Sequence, residues 1–188
     1  MGSEAAKGSL LFVVHKHKAT SLHYDFRLEI GDVMPSWSVP KGPTLDNTAK
    51  RLAMPTGDHP LDYRKFEGVI HEGYGAGTVI IWDEGTYDPE VEAAPGVRKR
   101  VVGRKGARSV AIKGLREGSL KFILFGQKLH GSFALVRTKG LQGKESWLLI
   151  KHKDEFVREG YDAKEFPLSA ATGRSLEEVA AEGSSLDS

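Results

Sequence analysis

The sequence contains no cysteine, and that absence removes disulfides and thiolate metal sites together. It is compatible with a reducing compartment, and it leaves any tight transition-metal site to be built from His, Asp and Glu. Long apolar runs are missing too, since none approaches the ~20 residues that span a bilayer. The opening MGSEAAKGS lacks the apolar core of a signal peptide. We therefore expect a cytoplasmic protein with no membrane partner. An excess of one charge is also missing. Lys and Arg number 27 against 25 Asp and Glu, a net charge of +2, so any basic partner surface must be local.

What is present is mostly strand signal. The 188 residues fit one domain with a tail. Leu10–Val14 is a short apolar run, and Leu22–Ile30 alternates strictly. Gly31-Asp32 predicts a tight turn into Val33–Val39, where Pro35 predicts an edge strand. Residues 40–66 read as irregular, because Pro40, Gly42, Pro43, Pro55, Gly57 and Pro60 interrupt any period. Thr78–Trp82 reads as a strand that turns at Asp83-Glu84-Gly85 into Thr86-Tyr87. Leu120–Phe125 and Ser132–Thr138 read as a hairpin, and Ser146–Lys151 as a further strand. Helices are few: a short one over Asp154–Glu159, and Leu176–Glu182 behind the capping-box pair Ser175 and Glu178. Many short strands with little helix argue for a β-barrel or sandwich.

The stretch ATSLHYDFRLEIG, Ala19 to Gly31, has an unusual polar face. Leu22, Tyr24, Phe26, Leu28 and Ile30 point one way, and His23, Asp25, Arg27 and Glu29 the other. His23 and Asp25 leave one face about 6–7 Å apart at Cα, close enough for their tips to share an ion. His17 lies upstream across KATSL, long enough to fold back beside the strand. Two imidazoles and a carboxylate suit Mn²⁺, Fe²⁺ or Zn²⁺ and leave positions open for water or substrate. Arg27, one step further along, can grip an anion while the ion polarises another oxygen, which is what phosphoryl chemistry needs. Glu29 continues the row, either as a partner that orients His or Arg from behind or, the reading we favour, as a solvated end residue.

Downstream, DHPLDYRKFEG offers His59 and Tyr63, VPKGP holds Lys41 in a rigid frame, and AKRLA supplies Arg51. His59 is a candidate phosphate ligand or leaving-group acid. His15, His71, His130 and His152 read as structural or solvated, and GYGAGT as a tight turn. Arg98 to Lys113 holds seven basic residues and no acidic one. It reads either as a solvated loop or hairpin or as a phosphate-backbone contact.

Seven blocks now stand in order: FVVHKHKATSLHYDFRLE, SWSVPKGP, KRLA, DHPLDYRKFEG, YGAGTVIIWDEGTY, LKFILFGQKLHGSFALVR and WLLIKHKDEF. Together they resemble the 3′-phosphoesterase domain of bacterial ligase D and its free-standing relatives, from about Leu11 to Phe156. The resemblance implies a mainly β fold, a small closed β-barrel decorated by a few short helices and loops. It implies a flexible N-terminus over 1–9, a barrel domain over 10–158 with a basic insertion at 88–118, and a C-terminal extension over 159–188. It implies a Mn²⁺-dependent site, with Co²⁺ or Zn²⁺ as substitutes, that strips 3′-terminal ribonucleotides and 3′-phosphates from primer–template DNA ends. By the same resemblance the metal ligands fall on His17, His23 and Asp25. Phosphate handling falls on Arg27, His59 and Tyr63, with Lys41 and Arg51 as further basic contacts. Partners would be DNA ends, ligase and polymerase modules and the end-binding protein Ku. The chain would act as a monomer near the nucleoid.

Two rivals belong to other classes. His23, Asp25 and a later His could form the facial triad of a non-haem iron oxygenase, with His17 incidental. Alternatively, the chain could be a non-catalytic module that docks DNA ends or repair proteins through its basic segment.

Overall fold

A computed structural model describes residues 8–140 and 143–185. Residues 1–7 of the expected flexible N-terminus lie outside them, as does the tail after residue 185. Ten strands form among the described residues: β1 (Leu10–Lys18), β2 (Leu22–Leu28), β3 (Val33–Val39), β4 (Lys50–Pro60), β5 (Gly68–Ile70), β6 (Gly77–Ala94), β7 (Val97–Arg100), β8 (Ser119–Gly126), β9 (His130–Thr138) and β10 (Ser146–Lys151). Two α-helices accompany them, α1 (Arg104–Glu117) and α2 (Leu176–Ser185). Strands β1, β2, β3, β4, β10, β9, β8 and β6 pair antiparallel in that order, and β6 returns to β1. This ring of eight closes the sheet on itself, which removes the exposed edges that an open sheet must protect. β5 and β7 attach to β6 outside the ring.

Alternation decides what fills the ring. Phe12 and Val14 of β1 and Tyr24, Phe26 and Leu28 of β2 turn inward and are fully buried. Phe26 meets Phe122, which stacks on Phe133 with centroids 6.1 Å apart. Burying each such side chain contributes roughly 1.5–3 kcal/mol, so the aromatic interior dominates stability. The opposite faces of β1 and β2 are thereby free to carry polar groups.

Several expectations are corrected. Pro35 is not on an edge: β3 lies between β2 and β4, and the proline sits beside a register shift at Ser36/Trp37. Bulges admit proline where a regular ladder would lose a donor. Asp83-Glu84-Gly85 is no turn, because β6 runs straight through it to Ala94. Asp83 is buried and accepts the N–H groups of Gln127, Lys128 and Leu129, so it organises the β8–β9 connection instead. Residues 50–60 of the supposedly irregular segment form β4, followed by a 3-10 helix at Leu61–Lys65. No helix forms over Asp154–Glu159; Asp154 there accepts from the buried Lys151 ammonium and the Ser132 N–H. At Ser175 the capping box does form, with Glu178 N–H donating to Ser175 Oγ at 3.1 Å, and α2 runs on to Ser185.

The basic segment is the largest correction. It is neither loop nor plain hairpin, but the strand β7 followed by the helix α1. Ala107 and Ala111 are buried and Leu115 packs against the core, so spacings of four give α1 an apolar stripe. Its charges are largely spoken for. Arg98 pairs with Glu90, Arg100 with Asp88, Arg104 with Glu29 and Arg108 with Asp32. Glu29 is consequently not a solvated end residue. It is buried, accepts the Leu11 N–H at 2.9 Å, and binds Arg104. Among the described residues no helix is long and apolar enough to cross a membrane.

Candidate metal and phosphate site

The site is built on the outward faces of β1 and β2. Their register sets His17 opposite His23, His15 opposite Asp25 and Val13 opposite Arg27. Directly paired residues share a face, and the twist of the ladder brings one diagonal closer than the other. The bonds follow that diagonal: His17 Nδ1 lies 3.5 Å from Asp25, and Arg27 Nε donates to His15 Nδ1 at 3.0 Å. His23 Nε2 lies 3.4 Å from the other Asp25 oxygen.

Backbone carbonyls orient both imidazoles. His17 Nε2 donates to Gly75 O at 2.7 Å, and His23 Nδ1 donates to Ser21 O at 3.3 Å. A carbonyl can only accept, so each ring carries its proton on the side away from Asp25. The remaining ring nitrogens therefore aim lone pairs toward a carboxylate. One donor atom each from His17, His23 and Asp25 falls within 4.8 Å of the others. Lone pairs converging on a carboxylate repel one another unless a cation lies among them, so this donor set fits a divalent ion. Without one, the same geometry attracts protons. The Asp25 contact raises His23 above its usual pKa. Burial alone would push the Asp25 carboxyl up, but His17, His23 and Arg27 outweigh it and hold it well below the carboxylate range.

Arg27 is buried, and each of its three guanidinium nitrogens has a partner. Besides His15 it donates to Asp25 at 3.2 Å and to His59 Nδ1 at 3.1 Å, and it lies 5.0 Å from the Tyr63 ring centroid. His59 arrives from β4, opposite Met34 of β3. It reaches Arg27 across the strand between them because small Ser36 occupies the floor there. The 3-10 helix then brings Tyr63 over His59, with ring centroids 4.9 Å apart. Burial, then Arg27, lowers the pKa of His59, while burial raises that of Tyr63. His59 is thus neutral near pH 7, with Nδ1 accepting from Arg27 and its proton on Nε2, and Tyr63 keeps its hydroxyl proton.

His15, read from sequence as merely structural or solvated, holds this cluster together. Its Nε2 donates to Phe66 O at 3.1 Å, leaving Nδ1 to accept from Arg27. Burial first, then Arg27, pushes its pKa down to about 3, so it stays neutral. Its alternation with His17 was the available signal, since it placed both on one face. An open cleft of about 640 Å³ lies over His17, His23, Asp25, Arg27, His59 and Tyr63. Lys41 and Arg51 are not brought into it. They line a separate cavity of about 370 Å³ with Asp46 and Lys164, and Arg51 Nε donates to Gly42 O at 3.1 Å.

Residues 15–137 match the family described as the DNA Ligase D 3'-phosphoesterase domain. Over 174 residues the chain is 45% identical to the multifunctional non-homologous end joining protein LigD of Pseudomonas aeruginosa, a match covering 90% of this chain and 18% of that protein. It is 39% identical over 146 residues to the multifunctional non-homologous end joining DNA repair protein LigD of Mycobacterium tuberculosis, covering 77% and 16% respectively. Its identity to LigD of Mycolicibacterium smegmatis is 37% over 145 residues, covering 77% and 17%. The chain thus spans less than a fifth of the length of these relatives. The matched span takes in His15, the trio His17, His23 and Asp25, and Arg27, His59 and Tyr63, and the chain belongs to the DNA ligase D 3′-phosphoesterase domain family.

Proposed function

We propose that this chain is a metal-dependent phosphoesterase that heals DNA 3′ ends, removing 3′-terminal ribonucleotides and 3′-phosphates to leave a 3′-hydroxyl that a ligase can seal. One observation carries the reading: two carbonyl-oriented imidazoles and a carboxylate converge beside a buried guanidinium. His17, His23 and Asp25 would hold Mn²⁺, or Co²⁺ or Zn²⁺ in its place. When bound, the ion supplies charge neutralisation at a phosphoryl oxygen and activation of the attacking oxygen.

The chain's own groups do the rest. Arg27 presents a guanidinium already oriented by His15 and Asp25, so gripping a phosphate costs little reorganisation. His59 accepts from Arg27 through Nδ1, which leaves its Nε2–H to hydrogen-bond the developing charge on the leaving oxygen while water supplies the proton. Tyr63 stays protonated and donates a hydrogen bond to the same phosphate. Lys41 and Arg51, which line a separate cavity, would meet the strand away from the scissile group. The relatives' names point to non-homologous end joining as the setting, with ligase and polymerase modules and Ku as partners.

The oxygenase reading makes His17 incidental, yet His17 stands in the trio. The binding-module reading rests on free basic charge in the segment 98–113, and four of its seven cations are paired with acids of the barrel. A gel assay tests the proposal. A primer–template with one terminal ribonucleotide should shorten to a 3′-phosphate and then a 3′-hydroxyl only with Mn²⁺, and Asp25→Asn should abolish both steps. Shortening by Asp25→Asn in the presence of chelator would refute the site.

A further inference from the structure

Tyr74 is the anomaly of the cleft. Its side chain is as exposed as in an isolated reference peptide, at 107%, while the next most exposed large apolar residue among those described, Val102, shows 60%. Folding gains nothing from an aromatic ring held wholly in water. The backbone that carries it is nevertheless held. Ala76 N–H donates to Gly73 O at 3.2 Å, which puts Tyr74 at the second position of a four-residue turn. Gly75 has φ 86°, as the third position of a type II turn requires. The carbonyl of Gly75 is also the group that orients His17. The pedestal under Tyr74 is therefore bonded directly to a proposed metal ligand. Thr20 and Ser21 of the β1–β2 connection line the same cleft.

An exposed ring on a hydrogen-bonded turn, lining the same cleft as the proposed phosphate-binding residues and one residue from the carbonyl that orients His17, is suited to stack on a flat π-face carried by that phosphate. We propose that Tyr74 is the stacking platform for the base of the 3′-terminal nucleotide. This rests on the phosphoesterase reading and adds to it a preference for ends that bear a base over base-free 3′-phosphates. Stacking makes no use of base edges, so all four bases serve.

The test separates this inference from the reading beneath it. A primer–template ending in 5-iodouracil ribonucleotide is bound to the full chain with chelator present, irradiated, and the adduct mapped by mass spectrometry. The adduct should fall on Tyr74 and vanish in Tyr74→Ala. In the Mn²⁺ assay, Tyr74→Ala should raise KM for ribonucleotide-terminated primers roughly 5- to 150-fold. The efficiency ratio of base-bearing to abasic 3′-phosphate ends should fall, and Tyr74→Phe should restore it. Hydrolysis by the wild type with the adduct elsewhere, or an unchanged KM in Tyr74→Ala, overturns the stacking role and leaves the phosphoesterase standing. An adduct at Tyr74 with no hydrolysis under any metal does the reverse.

Discussion

Arg27 and His15 are joined by a 3.0 Å bond that crosses the β1–β2 ladder diagonally, from guanidinium Nε to imidazole Nδ1. Neither residue is free to turn. His15 is pinned on its far side by Phe66 O, and Arg27 by Asp25 and His59. The guanidinium is thus aimed in advance, which under the proposed function prepares it to stabilise charge on a phosphate.

His15→Ala should therefore lower kcat by roughly 10- to 100-fold, the usual loss when an outer partner is removed. Mn²⁺ affinity, measured by titration calorimetry, should stay near wild type because His17, His23 and Asp25 remain. His15→Gln, which keeps an acceptor, should recover part of kcat. Equal losses of kcat and of metal affinity would mean that His15 supports the whole strand pair and not Arg27.

The basic run is a staple. Arg104→Ala leaves the buried Glu29 carboxylate with the Leu11 N–H alone and should cost about 1–3 kcal/mol in urea denaturation. Exposed Lys105→Ala should stay within about 0.5 kcal/mol. If the two variants lose equal stability, the pairing does not anchor α1.

Glu67 predicts an acid limit to stability. Burial pushes its carboxyl up, but Ser169, Thr172, the Ile81 N–H and Arg174 outweigh burial and leave it below the ordinary 4.5. The folded value then lies below the unfolded one. Its contribution is complete above about pH 4.5 and drains away as pH falls through the folded value. Glu67→Gln should melt earlier than wild type at pH 7, by roughly 1–3 kcal/mol, and the gap in Tm should close in acid. A gap that persists at pH 3 would contradict the assignment.

Gly77 opens β6 beneath the Tyr74 turn with φ 147°, and a Cβ there would meet Lys18 O at 2.0 Å. Gly77→Ala should destabilise by more than about 1 kcal/mol. Because Lys18 adjoins His17, calorimetry should also show weaker Mn²⁺ binding. Unaltered binding would mean that the loop shifts without moving His17.

How much could be read in advance differs from element to element. β10 is observed with the bounds expected from its apolar run, and β3 with those expected after the Gly31-Asp32 turn. β4 was hidden because its prolines and Gly57 break the period, and only pairing to β3 and β10 holds them extended. α1 was hidden because Ala107 and Ala111 are small and seven cations dominate the run, leaving no strong apolar stripe to detect.

The same division holds at the site. Chain order alone determined that His17, His23, Asp25 and Arg27 share a face, because a strand repeats every two residues and KATSL is long enough to turn back. It also determined that no thiol takes part. Only the tertiary structure decided that His59 and Tyr63 reach Arg27, that His15 aims it, and that Lys41 and Arg51 stand apart. Those relations depend on how four strands and a 3-10 helix are staggered around a closed ring. Stagger is set by long-range pairing and packing, which local periodicity does not encode.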